Sequence, residues 1–269
     1  MKETYLIKSD WGKFKVRYNE DSVSLGGSTI CITISSKGNI GWFETEKGGC
    51  EIDNKKVKGE YTVHFVNLAI NIFHNYFPHI KYITLSDGSS YVCNLPDGNK
   101  KKINLMYANL LFHGKTYYEE KYGATLLSDD DIPLLEKFKN NRKDSKYKPK
   151  SFNFENQTLN EILTPLYEKT DTWEDFFKEI ENKFDKKKCE VIYSWYKKAV
   201  FEIIGTKSIS EYWKIDINTV KKIKYERIKE GGKRKRTLKM DRKYIEEEYP
   251  FFNGFNNENL NYTIKYLHS

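Results

Sequence analysis

Hydrophobic and polar positions alternate from the start of the chain. Across residues 13–18 Phe14, Val16 and Tyr18 are separated by single polar residues, and 29–35 and 40–44 are β-branched or aromatic runs. Gly26-Gly27 and Lys37-Gly38-Asn39 punctuate them. A period of two bounded by turn residues signals half-buried strands, so residues 1–52 are expected to form an antiparallel meander. The period changes at residues 62–77. Val63, Val66, Ala69, Ile70, Phe73 and Phe77 form an apolar stripe, widened by Phe65, Leu68, Ile72 and Tyr76, which predicts a largely buried helix. His64, Asn67, Asn71 and His74 recur along its remaining face, which is expected to be solvated. A metal role for the two histidines would need a third ligand, and none occurs at helical spacing.

Residues 81–86 alternate again, Asp87-Gly-Ser-Ser turns the chain, and Tyr91-Val-Cys-Asn continues it until Pro96-Asp-Gly-Asn. Residues 103–123 are expected as one long helix, capped by Asn104 and closed by Gly123. Residues 128–151 are polar, charged and Pro-punctuated, and are expected to be a linker. Three helices follow: 159–169, 173–184 with Thr172 as cap and Asp175 three residues on, and 189–204 stopping at Gly205. The patterning therefore predicts an α+β protein. A mixed, mainly antiparallel sheet with packed helices occupies 1–127, a linker 128–151, and a mainly helical part 152–269.

Charge adds a functional expectation. Lys+Arg number 46 against 38 Asp+Glu, a net +8 in 269 residues, which suits a polyanionic partner. Only six basic residues are arginine, and the abundance of Lys, Asn, Ile, Tyr and Phe matches A+T-rich codons, so part of the excess reflects base composition. Cys31, Cys50, Cys93 and Cys189 are far apart with no C-x-x-C pair, so reduced thiols are expected. No apolar run resembles a signal peptide or spans eighteen residues, which predicts a soluble intracellular protein without a membrane partner.

Two stretches carry candidate nucleic-acid chemistry. Residues 208–223 resemble a helix-turn-helix. Ile209 and Trp213 would belong to its first helix, Ile215 to its turn, and Asn218-Thr219-Val220 would open a recognition helix directing Lys221, Lys222, Lys224 and Arg227 at phosphates. Alternatively, Gly231-Gly232 turns a β-hairpin with a basic tip. In either case Lys233, Arg234, Lys235 and Arg236 form a run of four cations that fits a phosphate backbone, a solvated loop or a nuclear localisation signal. Trp11 and Trp42 are of a type that stacks on a base or a nucleotide cap, although burial tendencies favour packing at a sheet edge.

The order of apolar helix, strand, polar turn and a helix closing in Tyr118-Glu-Glu-Lys-Tyr-Gly123 resembles the second half of the GNAT acetyltransferase fold, over roughly residues 50–127. Gly114-Lys-Thr-Tyr-Tyr-Glu119 is also similar to a motif of uncharacterised GNAT-like proteins of large DNA viruses. The resemblance implies a coenzyme A pyrophosphate loop before the helix at 62–77 and a tyrosine, here Tyr118, that protonates the departing thiolate. Glu44, Asp87 and His113 are each of a type suited to the base. Of the loop's Q/R-x-x-G-x-G/A pattern only Gly59 is present; Lys56 and Lys58 flank it, and Glu60 brings a negative charge where phosphates would lie. The expectation is a nucleic-acid-binding protein, for DNA or RNA, capped RNA included, on a GNAT-like fold that has lost acetyl-CoA binding and needs no cofactor. The alternatives are an N-acetyltransferase using acetyl-CoA at an atypical site, or a viral structural or scaffold protein. If viral, it would act in the host cytoplasm or nucleus with other viral or host proteins.

Overall fold

A computed structural model of the chain describes residues 2–27, 30–42, 51–52, 55–56, 60–95, 97–205, 209–228 and 260–261. The chain divides into two units: Met1–Leu85 with Asp216–Glu258 and Ile264–Ser269, and Ser86–Ile215 with Asn259–Thr263.

In the first unit β1 (Glu3–Ser9), β2 (Gly12–Asn19), β3 (Ser22–Gly26), β4 (Ile30–Ser35) and β5 (Ile40–Trp42) form the expected antiparallel meander. Two short strands, β6 (Glu51–Ile52) and β7 (Lys55–Lys56), pair with each other, and α1 (Glu60–Tyr76) follows. Register fixes the buried face. Glu3 lies opposite Tyr18, Tyr5 opposite Val16, and Ile7 opposite Phe14. This face meets α1, with Phe14 against Phe65 and Tyr18 stacked on Tyr76 at 4.1 Å. Ile7, Val16, Leu25 and Ile32 are fully enclosed here, each contributing about 1.5–3 kcal/mol.

β8 (Tyr82–Ser86) leads to the second unit, where β9 (Ser90–Asn94) and β10 (Lys100–Asn104) form a hairpin. The long helix expected at 103–123 is two helices. Asn104 caps α2 (Leu105–His113) by accepting from the Tyr107 amide at 3.3 Å, but Gly114, at φ +67°, ends it. Thr116 then opens α3 (Tyr117–Tyr122) with a reciprocal capping box to Glu119. After β11 (Thr125–Leu126) comes α4 (Ile132–Lys143), where a linker was expected. Leu135 and Phe138 are buried, and so is Arg142, whose guanidinium donates to the Leu111 and Phe112 carbonyls and to Glu174. These three bonds offset the desolvation that made the segment look like surface, so the domain boundary expected at 128–151 falls inside the second unit.

α5 (Gln157–Lys169) and α6 (Trp173–Phe184) match expectation, including the Thr172 cap, which accepts from the Asp175 amide at 3.0 Å. The expected helix 189–204 is broken into α7 (Lys188–Ile192) and α8 (Tyr196–Ile204), the latter ended by Gly205 at φ +74°. Phe152, Phe154, Tyr167, Trp173, Phe176 and Trp195 pack edge-on and tilted in this core. The thiols are not all free. Cys93 on β9 and Cys189 on α7, 96 residues apart in sequence, form a disulfide, and Cys31 is disulfide-bonded too.

β12 (Tyr212–Asp216) pairs with β11 and the chain returns to the first unit, where β13 (Glu226–Ile228) adds to the edge of β1. β14 (Leu260–Asn261) pairs with β9. The α+β class with antiparallel sheets and packed helices is as expected. Among the described residues, no helix is long and apolar enough to cross a membrane.

Candidate nucleic-acid interface

The expected helix-turn-helix is absent from the described part of 208–223. Trp213 and Ile215 are buried two residues apart on a strand, and Ile217–Thr219 is a single 3-10 turn. Lys221, Lys222 and Lys224 lie exposed in the irregular segment that follows. That segment is held against α1: Asn71 donates to the Lys221 carbonyl at 3.0 Å and accepts from the Ile223 amide, and Asn75 donates to the Tyr225 hydroxyl. The polar face of α1, expected to be solvated, is thus partly occupied by residues 221–225.

Arg227 is exposed and engaged at the surface. It pairs with Glu3 and lies over the Tyr5 ring at 4.1 Å. The hairpin alternative places β13 against β1, and the run Lys233, Arg234, Lys235 and Arg236 lies outside the described residues.

Cations that the sequence did not single out come together on the first unit's sheet. Side chains alternate between faces, and cross-strand partners share one. Because Ile7 and Phe14 face α1, the pairs Lys8 with Lys13, Leu6 with Lys15, and Thr4 with Arg17 lie on the opposite face. Lys8, Lys13 and Arg17 are exposed, Lys15 is half-buried, and Lys8 approaches Glu226 at 4.0 Å. Farther across the sheet Ser24 bonds Thr33 at 2.8 Å, and Ser24 and Cys31 are buried, so the open part of this face is at β1 and β2. The signal was present in Lys13-Phe14-Lys15-Val16-Arg17-Tyr18: a period of two that puts apolar residues on one face puts the three cations on the other.

At the turn between these strands Trp11 is 40 % exposed. Its amide donates to Ser9 Oγ at 3.2 Å, and its carbonyl accepts from the Tyr61 hydroxyl at 3.3 Å. The indole stacks on Tyr61 at 5.4 Å and on His64 at 4.8 Å. His64 Nε2 lies 3.4 Å from Ser9 Oγ. Burial pushes the His64 imidazole down to about 4; Asp10 opposes that and Lys221 adds to it, so the ring is neutral at physiological pH. Trp42 is on β5.

The acetyltransferase residues are dispersed or enclosed. Tyr118 is buried in α3, packed with Tyr122 and Trp213. Lys56 is on β7; Lys58, Gly59 and Glu44 lie outside the described residues. His113 is exposed at the end of α2. Asp87 is fully buried in the second unit. Its Oδ1 accepts from the Ser89 amide and hydroxyl, its Oδ2 has no partner, and its amide donates to the Glu211 carbonyl. Burial chiefly, with the Glu211 charge adding, raises this carboxyl to about 6. Among the described residues no group of three or more His, Cys, Asp and Glu side chains is arranged to hold a metal. Compared with protein families, curated proteins and solved structures, the chain matches none.

Proposed function

We propose that the chain is a nucleic-acid-binding protein whose first unit makes the contact. The observation that carries this is the cluster of Lys8, Lys13, Lys15 and Arg17 on the sheet face opposite α1. Cations fixed on adjacent strands repel one another, by an amount that bound phosphates relieve while releasing counterions. Lys221, Lys222 and Lys224, exposed in the same unit, and the sequence run Lys233–Arg236 extend the positive charge. On this reading the GNAT-like loop is not a coenzyme site. α1 begins at Glu60, an acidic residue type at the helix end where a pyrophosphate would need positive potential.

The test is the salt dependence of oligonucleotide binding. Wild type should bind single-stranded DNA or RNA with log affinity falling linearly in log salt. The combined change Lys8→Ala, Lys13→Ala, Lys15→Ala and Arg17→Ala should lower that slope by up to about 3. Absence of salt-dependent binding by wild type, or a quadruple variant binding like wild type, overturns the proposal.

A further inference from the structure

Trp11 is an exposed aromatic side chain held in one position, and its surroundings are not those of a core residue. Its main chain is tied on both sides, to Ser9 Oγ and to the Tyr61 hydroxyl. Tyr61 and His64 are one turn apart on α1, with Cβ atoms of such pairs about 5–6 Å apart. Both rings stack on the indole, yet Trp11 keeps 40 % of its surface exposed. A tryptophan packed only for stability would gain by covering that surface; here the backing rigidifies the ring while leaving area for another flat molecule.

The charges nearby narrow the class of that molecule. Asp10, beside Trp11 in the turn, is exposed and acts on His64; Lys221, from the segment bound to α1, acts on the same imidazole from the opposite sign. A flat ligand here meets an exposed aromatic ring with the Asp10 carboxylate next to it in the turn. Nucleotides have the matching parts: a planar base, ring N–H or amino donors on its edge, and a phosphate. The basic rows of β1 and β2 reach this turn, since Lys8 lies opposite Lys13 and Ser9 opposite Gly12, but on the sheet face away from α1, so a strand lying along the cations passes around the turn to meet the indole.

We propose that Trp11 is a stacking site for an unpaired nucleobase of a single-stranded nucleic acid, with Tyr61 and His64 backing the indole. This site rests on the nucleic-acid reading above and specifies its form, because a base inside a duplex has no free face to offer. Base stacking needs no sequence preference, in keeping with a surface of few directed donors.

The experiment uses the full chain and fluorescence anisotropy of labelled oligothymidylate and oligouridylate of about 12 nucleotides, with a duplex of equal length for comparison. Wild type should prefer the single strands. Trp11→Ala should weaken single-strand binding roughly 5- to 150-fold, leave the salt slope unchanged and leave duplex binding unchanged; Trp11→Phe, which keeps a ring, should recover part of the loss. Single-strand binding by Trp11→Ala equal to wild type, while the quadruple β1–β2 variant loses binding, overturns the stacking site and leaves the nucleic-acid proposal standing. Equal weakening of single-strand and duplex binding overturns it too, since that marks a change in the turn and not the loss of a stacked base. No binding by wild type to any of the three removes both.

Discussion

Replacing Arg142 with methionine should destabilise the chain by about 4 kcal/mol. The side chain is 3 % exposed and reaches from α4 to the C-terminal end of α2, where Nε donates to the Leu111 carbonyl at 2.7 Å and Nη2 to the Phe112 carbonyl at 2.8 Å. The last carbonyls of a helix lack intrahelical donors, and their main-chain geometry gives them no other partner to turn to. Each buried acceptor left unpaired costs about 1–3 kcal/mol. The third bond, from Nη1 to Glu174 at 2.9 Å, adds less, because Glu174 also pairs with Lys178 at 2.8 Å and stays solvated in part. Two carbonyls at a middle value give the figure, which falls in the range of about 3–5 kcal/mol for breaking buried ionic networks. Methionine preserves the apolar stem, so lost packing is a small share. Urea unfolding followed by fluorescence should show the midpoint falling at unchanged slope. Arg142→Lys should recover less than half, since an ammonium cannot span both carbonyls and the carboxylate. A loss below about 1 kcal/mol for Arg142→Met would refute the claim that the guanidinium caps α2.

Asp87 should leave a signature in the pH dependence of stability. Its carboxyl is raised from 3.8 to about 6 in the fold, chiefly by burial, so between these values the folded chain holds a proton that the unfolded chain has released. Stability contributed by the protonated form is therefore complete at low pH and is lost as pH rises through that window, by about 3 kcal/mol in all. The difference in unfolding free energy between wild type and Asp87→Asn, measured from pH 4 to 7 by urea titration, should shift by most of that amount against wild type; a flat difference would contradict the burial of the carboxylate. Gly38→Ala should cost more than about 2 kcal/mol, because φ is +83° and an added Cβ would lie 2.6 Å from the Tyr82 carbonyl oxygen; a thermal midpoint within error of wild type would show that the backbone relaxes there.

What the sequence determined by itself was whatever depends on neighbours in the chain. The patterns at 13–18, 29–35 and 40–44 marked β2, β4 and β5 of the meander, the apolar stripe marked α1, and single side chains marked three helix boundaries, Asn104, Thr172 and Gly205. Even the basic face of β2 was legible once a period of two was granted, for Lys13, Lys15 and Arg17 must lie opposite Phe14, Val16 and Tyr18. Tertiary structure decided the rest, because the free energy of a polar or ambiguous residue depends on a partner that sequence does not name. Residues 128–151 looked like surface until Arg142 met carbonyls some thirty residues back. Trp213 and Ile215, read from the sequence as helix and turn, lie on a strand because residues 213 and 214 pair with Leu126 and Thr125. Arg227 pairs at the surface with Glu3, from the far end of the chain, which no local pattern announces. Trp11, weighed in the sequence against simple packing at a sheet edge, is half of each: α1 supplies Tyr61 and His64 to stack on the indole, and only the fold decides that the residue stays 40 % exposed.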